Sequence, residues 1–135
     1  MAVIEQSTCA APCSRRVEKP WGDENVFTEP WLPYTGKVLH VLSGRRLSLQ
    51  RHDVKTETIL LLHGRALLTL SNDDGRLEDI EMSPGVGYTI RAGQVHRVTA
   101  ITDALLLEAS TPERGITERL EDDFGRAHEA LESRQ

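Results

Sequence analysis

The stretch Gly44 to Gly64, GRRLSLQRHDVKTETILLLHG, decides how this chain is read. Most of it has the composition of β-strand, yet Gln50, His52 and Glu57 stand among residues suited to a core. Side chains alternate between the two faces of a strand. Arg46, Ser48, Gln50 and His52 therefore share one face, and Leu47, Leu49 and Arg51 the other. That polar face can lie against the interior or against solvent. Only Asp53 to Thr56 separate His52 from Glu57, and a hairpin of that length is expected to return Glu57 beside Gln50 and His52. An amide oxygen, an imidazole and a carboxylate then face one point. A fourth group comes from GVGYTIRAGQVHRV, residues 85–98, which supplies His96 at the start of another strand. Such a donor set around an open position suits one divalent ion, whether zinc, manganese, iron or nickel, and suits a thiolate-loving metal badly.

The rest of the chain sets the frame. Its 135 residues suffice for one domain with a core of its own. A formal net charge of −5 disfavours a nucleic-acid partner, and no basic run points to a membrane surface. The longest apolar run, residues 59–62, is too short to cross a bilayer. MAVIEQSTCAAPCSRR lacks the basic start and apolar centre of a signal peptide, so a soluble, cytoplasmic protein is expected. Cys9 and Cys13 lie in that segment without two further ligands nearby, and read as free thiols. Residues 1–18 read as a flexible tail, 19–126 as the domain, and 127–135 as a tail or short helix. Within the domain, strands are expected at 24–28, 37–43, 45–52, 57–63, 65–71, 77–82, 86–91, 95–101, 103–109 and 116–121. Turns at Asp74-Gly75, Ser83-Pro84-Gly85 and Ala92-Gly93 punctuate them. Many short strands at close spacing predict an all-β sandwich or barrel.

The spacing of the polar residues carries a resemblance. Gly44 is followed by five residues to Gln50, one to His52, four to Glu57 and six to Gly64. This is similar to the first motif of the cupins, with Gln in place of the first His. Gly85, Arg91, Gly93, His96 and Ala100 follow the second cupin motif, with Arg for its Pro and Ala for its Asn. The chain resembles more closely the cupin domain of mannose-6-phosphate isomerases, of the type fused to a mannose-1-phosphate guanylyltransferase. Lys19-Pro20-Trp21-Gly22, the run from Arg46 to Glu57 with Lys55 in place of Arg, His96-Arg97, and EDDFGR at 121–126 all match that group. The resemblance implies a double-stranded β-helix, or jelly-roll barrel, and a metal held by Gln50, His52, Glu57 and His96. It also brings Lys37 and Ser48 to the substrate phosphate, with Arg46 a further candidate by face parity.

The reaction so implied is aldose–ketose interconversion of a sugar phosphate through an enediol, driven by a metal that polarises the carbonyl. Nothing outside the resemblance identifies the base; Lys55, in the turn between ligands, is the candidate. Two other readings stand beside it. One is a metal-dependent oxygenase or cyclase acting on a small organic acid or polyketide. The other is a non-catalytic sugar-binding or sensor cupin, since fold does not give function. Small cupins hide sheet edges by pairing, so a homodimer is expected.

Overall fold

Leucine- and β-branched-rich runs broken by Gly, Pro and Asp turns fold into strands joined by tight connections. The structure, a computed structural model, describes residues 12–126. Among them the strands are β1 (Arg15–Lys19), β2 (Gly22–Val26), β3 (Thr35–Val41), β4 (Leu49–His52), β5 (Glu57–His63), β6 (Ala66–Ser71), β7 (Leu77–Glu81), β8 (Gly87–Ile90), β9 (His96–Ala100), β10 (Ala104–Ser110) and β11 (Thr117–Glu121). They form two antiparallel sheets, ordered β1-β2-β3-β10-β5-β8 and β11-β4-β9-β6-β7. The described residues contain no helix, and so none long and apolar enough to cross a membrane.

The inward faces of the sheets change character along the strands. Val41, Leu39, Ile59, Leu61 and Leu106 from one sheet meet Ala66, Leu68, Val98 and Ala100 from the other, closing an apolar core. Toward one end the same alternation delivers Lys37 on β3, Glu57 on β5, Glu108 on β10 and His96 on β9. Register aligns this polar end across neighbours. Lys37 pairs with Glu108, Glu57 with Ser110, Gln50 with His96, and His52 with Thr117. A polar mouth on an apolar barrel follows from those pairings. Trp21 is 3% exposed and belongs to the core cluster.

Three sequence expectations are corrected. Gln50–His52 and Glu57 do not form a hairpin: β4 and β5 lie in different sheets, and residues 53–56 carry the chain from one to the other. Glu57 thus reaches the histidines across the barrel instead of along a ladder. The strand expected from residue 45 begins at Leu49, because Arg45 closes a turn on the Leu42 carbonyl and Arg46 makes only an isolated bridge to Thr99. At the N-terminal end, residues 15–18 belong to β1 rather than to a tail, since β1 pairs along its length with β2. The expected C-terminal helix at 127–135 and Cys9 lie outside the described residues; Cys13 is a free thiol.

Two motif glycines have a physical reason. Gly93 adopts φ 83°, and its N–H donates to the His52 carbonyl at 2.7 Å, tying the second motif to the end of β4. Gly64 adopts φ 86°, and a Cβ there would lie 2.1 Å from the Asp103 carbonyl oxygen. At Gly75, with φ 78°, a Cβ would meet open space. Gly64→Ala is expected to destabilise the fold beyond the roughly 1–2 kcal/mol of left-handed strain that Gly75→Ala imposes alone. Denaturant unfolding of the two variants side by side checks this.

Candidate metal centre

His52 ends β4, His96 begins β9 and Glu57 begins β5, so three strand termini from both sheets meet at the mouth. All three side chains are buried, and one donor atom from each lies within 4.8 Å of the others. His96 Nε2 is 3.0 Å from Glu57 Oε1, His52 Nε2 is 3.9 Å from Glu57 Oε2, and the ring centroids are 5.2 Å apart. Each imidazole is oriented through its other nitrogen. His96 Nδ1 lies 3.0 Å from the Gln94 carbonyl, and His52 Nδ1 lies 2.8 Å from Thr117 Oγ1.

That orientation tests whether the residues fit a metal. A carbonyl only accepts, so His96 Nδ1 donates to Gln94 and leaves Nε2 to face Glu57. Nε2 makes no well-formed hydrogen bond. Nε2 and Glu57 Oε1, 3.0 Å apart, are placed to share one cation. Burial first, then the nearby Lys55 ammonium, depresses the His52 pKa to about 3, so His52 is a neutral ligand at physiological pH. Burial works to raise the Glu57 pKa, but Lys55 and both histidines outweigh it and keep the carboxylate ionised. Two imidazoles and a carboxylate, with the Gln50 amide lining the same cavity, fit a divalent ion.

Around this point the cavity, about 70 Å³, is lined with charge. Lys55 is 4% exposed, and its ammonium reaches Glu57 Oε2 at 3.1 Å, Glu108 Oε2 at 2.9 Å and Glu113 Oε1 at 2.8 Å. Lys37 Nζ continues the chain to Glu113 at 2.5 Å and Glu24 at 3.4 Å, and Lys19 meets Glu24 at 3.4 Å. Buried ions persist only when compensated in this way. Burial alone would lower the Lys55 pKa; the carboxylates of Glu108, Glu57 and Glu113 instead carry it well above the ordinary lysine value. Glu108 responds oppositely. Burial and the neighbouring Glu57 charge push it up to about 7, against the pull of Lys55 and Lys37.

Of the residues singled out from sequence, Gln50, His52, Lys37, Ser48, Lys55 and Glu57 line this cavity, with His96 in contact through Glu57. Arg46 is not brought there: its guanidinium holds Asp123 with bonds of 2.7 and 2.8 Å, on the outside. Arg97, beside His96, braces the Leu47 carbonyl at 2.9 Å. Sequence reasoning missed Glu108, Glu113, Thr117, Arg119 and Arg126, which also line the cavity. Glu108 left a signal, as the one ionisable residue inside the strand ALLLEAS, in step with inward-facing Leu106.

Thr117→Val removes the hydroxyl that orients His52 while keeping its shape. Divalent-metal affinity measured by calorimetry is expected to fall roughly 10–100-fold, with the unfolding midpoint little changed. A second expectation concerns pH. Glu108 has a raised folded-state pKa, so the folded state holds a proton that the unfolded state has lost between about pH 4.5 and 7. Its contribution to stability is therefore lost as pH rises through that window. Relative to wild type, metal-free Glu108→Gln should gain stability from pH 4.5 to 7, read by denaturant unfolding at a series of pH values. A constant difference would contradict the buried, protonatable carboxyl.

Comparison with known proteins agrees with this architecture. A variant of oxalate decarboxylase from Bacillus subtilis superposes with a TM-score of 0.68 at 19% identity, covering 79% of this chain and 30% of that one. A second structure of that enzyme, from a study of its Mn(II) centres, gives 0.63 at 16% identity over 73% of this chain and 27% of the other. Oxalate oxidase in complex with the substrate analogue glycolate gives 0.59 at 14% identity, with 65% and 46% covered. The chain therefore spans less than half the length of these neighbours, and at such identity the likeness is one of fold. No curated protein sequence matches significantly. The profile described as "Mannose-6-phosphate isomerase C-terminal" matches residues 6–111, more than half of the chain, and with two cupin motifs on a cupin barrel the protein belongs to that family.

Proposed function

We propose that the protein is a metal-dependent isomerase that interconverts an aldose phosphate and its ketose through an enediol. The observation that carries this reading is the Lys55–Glu108 pair, 2.9 Å apart, buried in the same cavity as the His52–Glu57–His96 cluster. Gln50, His52, Glu57 and His96 would hold one divalent ion, zinc, manganese, iron or nickel, whose Lewis acidity polarises the carbonyl and acidifies the adjacent C–H. Glu108 supplies the proton carrier. A carboxyl with a pKa of about 7 is matched to taking a proton from one carbon and returning it to the next. Lys55, the base candidate from sequence, remains protonated among its carboxylates, so its part is to neutralise Glu108 and to donate to a developing oxyanion. Lys37 and Ser48, both lining the cavity, would receive the polar end of the substrate. Arg46 would act there only by leaving Asp123. A soluble cytoplasmic homodimer, joined along a sheet edge such as β1 or β8, completes the proposal.

A second reading is favoured by the cavity's size. About 70 Å³ suits a small organic acid better than an enclosed hexose phosphate, so oxygenase or decarboxylase-like chemistry on such an acid is the alternative. The test incubates the manganese- or zinc-loaded protein with aldose and ketose phosphates in D₂O. Solvent deuterium should enter the carbon next to the carbonyl, and Glu108→Gln should slow this roughly 10²–10⁴-fold while binding metal like wild type. No exchange on any sugar phosphate, together with oxygen uptake on small organic acids, would overturn the isomerase in favour of the second reading.

A further inference from the structure

Lys37 and Lys55 close on one oxygen. Glu113 Oε1 lies 2.5 Å from Lys37 Nζ and 2.8 Å from Lys55 Nζ, so a single carboxylate oxygen bridges both ammoniums inside the metal cavity. The other carboxylates on these lysines are fixed by strands: Glu24 on β2, Glu57 on β5 and Glu108 on β10. Glu113 belongs instead to the loop between β10 and β11. Its side chain is 18% exposed, against 6%, 3% and 7% for those three.

That loop is held at its two ends. The Thr111 N–H donates to the Thr56 carbonyl at 3.0 Å, and the Ile116 N–H donates to Asp53 Oδ1 at 2.7 Å. Neither anchor uses the Glu113 carboxylate, which can leave the lysines with both anchors and every ladder intact. Burial opposes its ionisation, yet Lys55 and Lys37 outweigh burial and hold its carboxyl well below the ordinary range. The bridging oxygen is therefore anionic. Without it Lys37 keeps Glu24, at 3.4 Å, and Lys55 keeps Glu57 and Glu108. Buried ammoniums that lose a carboxylate call for another anion in its place. Lys37 and Glu113 also line a second cavity of about 460 Å³, and no other residue lines both. The metal cavity, about 70 Å³, falls short of the roughly 300–1,000 Å³ of sites that take small organic molecules.

We propose that the Glu113 carboxylate fills the seat of the ligand's own oxyanion, a phosphate or a carboxylate. An incoming oxyanion displaces it from Lys37 and Lys55, and the two cavities then join at the place it vacates. Glu113 is in this way a specificity-determining residue. A ligand that brings an oxyanion restores the charge-assisted bonds it breaks, whereas a neutral ligand leaves two ammoniums short and the carboxylate where it is. The inference deepens the isomerase reading and rests on it for what the oxyanion belongs to. The exchange itself is a binding event between lysines and anions, which needs no turnover.

The test titrates inorganic phosphate and acetate calorimetrically into the full chain, with and without zinc. In parallel, trypsin cleavage after exposed Arg114, beside Glu113, is followed by mass spectrometry. A bound ligand ordinarily protects a loop; here the saturating anion should speed this cleavage at least roughly tenfold, because the displaced Glu113 frees its loop. Glucose should not. Glu113→Ala should be cleaved fast without any anion, and should bind the anion at least roughly tenfold more tightly than wild type, having lost the internal competitor. Glu113→Gln should move in the same direction, and it decides if Glu113→Ala fails to fold. Glu24→Gln takes the same charge from Lys37 but leaves the seat filled, so its cleavage should stay slow until anion is added. Phosphate binding above acetate assigns the seat to a phosphoryl group, and the reverse order to a carboxylate. The proposal is overturned if neither anion speeds cleavage of wild type, if removing the Glu113 charge brings no gain in affinity, or if anion binding vanishes without zinc. Sugar phosphates that show no deuterium exchange, with these results intact, would remove the isomerase and keep the seat.

Discussion

Lys55 brings an ammonium into the wall between the two sheets, where three carboxylates from β5, β10 and the loop before β11 close around it. Each of those carboxylates would be too costly to bury alone, and so would the ammonium. Together they form a compensated cluster that lets Glu57 stay ionised with 3% exposure and face two imidazoles. A ligand set of this kind needs a carboxylate that is dry and charged at once. The buried cation is what makes the two conditions compatible. It also sets Glu108 apart, because Lys55 cannot fully neutralise two acids that repel each other, and the one further from the histidines takes up the proton.

Backbone register distributes these groups. Pairing of Lys37 with Glu108 and of His52 with Thr117 places side chains from distant parts of the chain on one face of each sheet. A slip of one residue in β3 or β10 would turn the inward charges to solvent and the outward residues into the core. The apolar half of the barrel therefore fixes the polar half. Leu39, Ile59, Leu106 and Val98 sit two residues from Lys37, Glu57, Glu108 and His96, so hydrophobic burial locks the chemistry in register.

The motif residues were legible in the sequence because spacing along a strand or a short turn is local information. Gln50, His52, Glu57 and His96 fall at intervals that no ordinary core pattern requires. The hairpin expected from the four residues after His52 was wrong in mechanism yet right in destination. Local reasoning sees the length of a connection, not which sheet receives it, and here residues 53–56 cross the barrel. Glu113 and Thr117 were illegible, since nothing near them in the chain resembles a site; they reach it only because β11 pairs with β4. Arg46 shares face parity with Ser48, but its segment leaves the ladder, and Asp123, 77 residues on, takes its guanidinium. The acidic run at 118–123 likewise has a job invisible in sequence: Glu118, Asp122 and Asp123 hold Arg51, Arg126 and Arg46.

The cavity takes lining residues from both margins of the described chain, Lys19 on β1 and Thr117 and Arg119 on β11. During synthesis, β1 must wait for β11 before either finds its setting. Until then the lysines and glutamates of the mouth remain hydrated, and His52 lacks the hydroxyl that aims it. An ion taken up at this centre would in consequence arrive late, once β11 has been made and paired with β4.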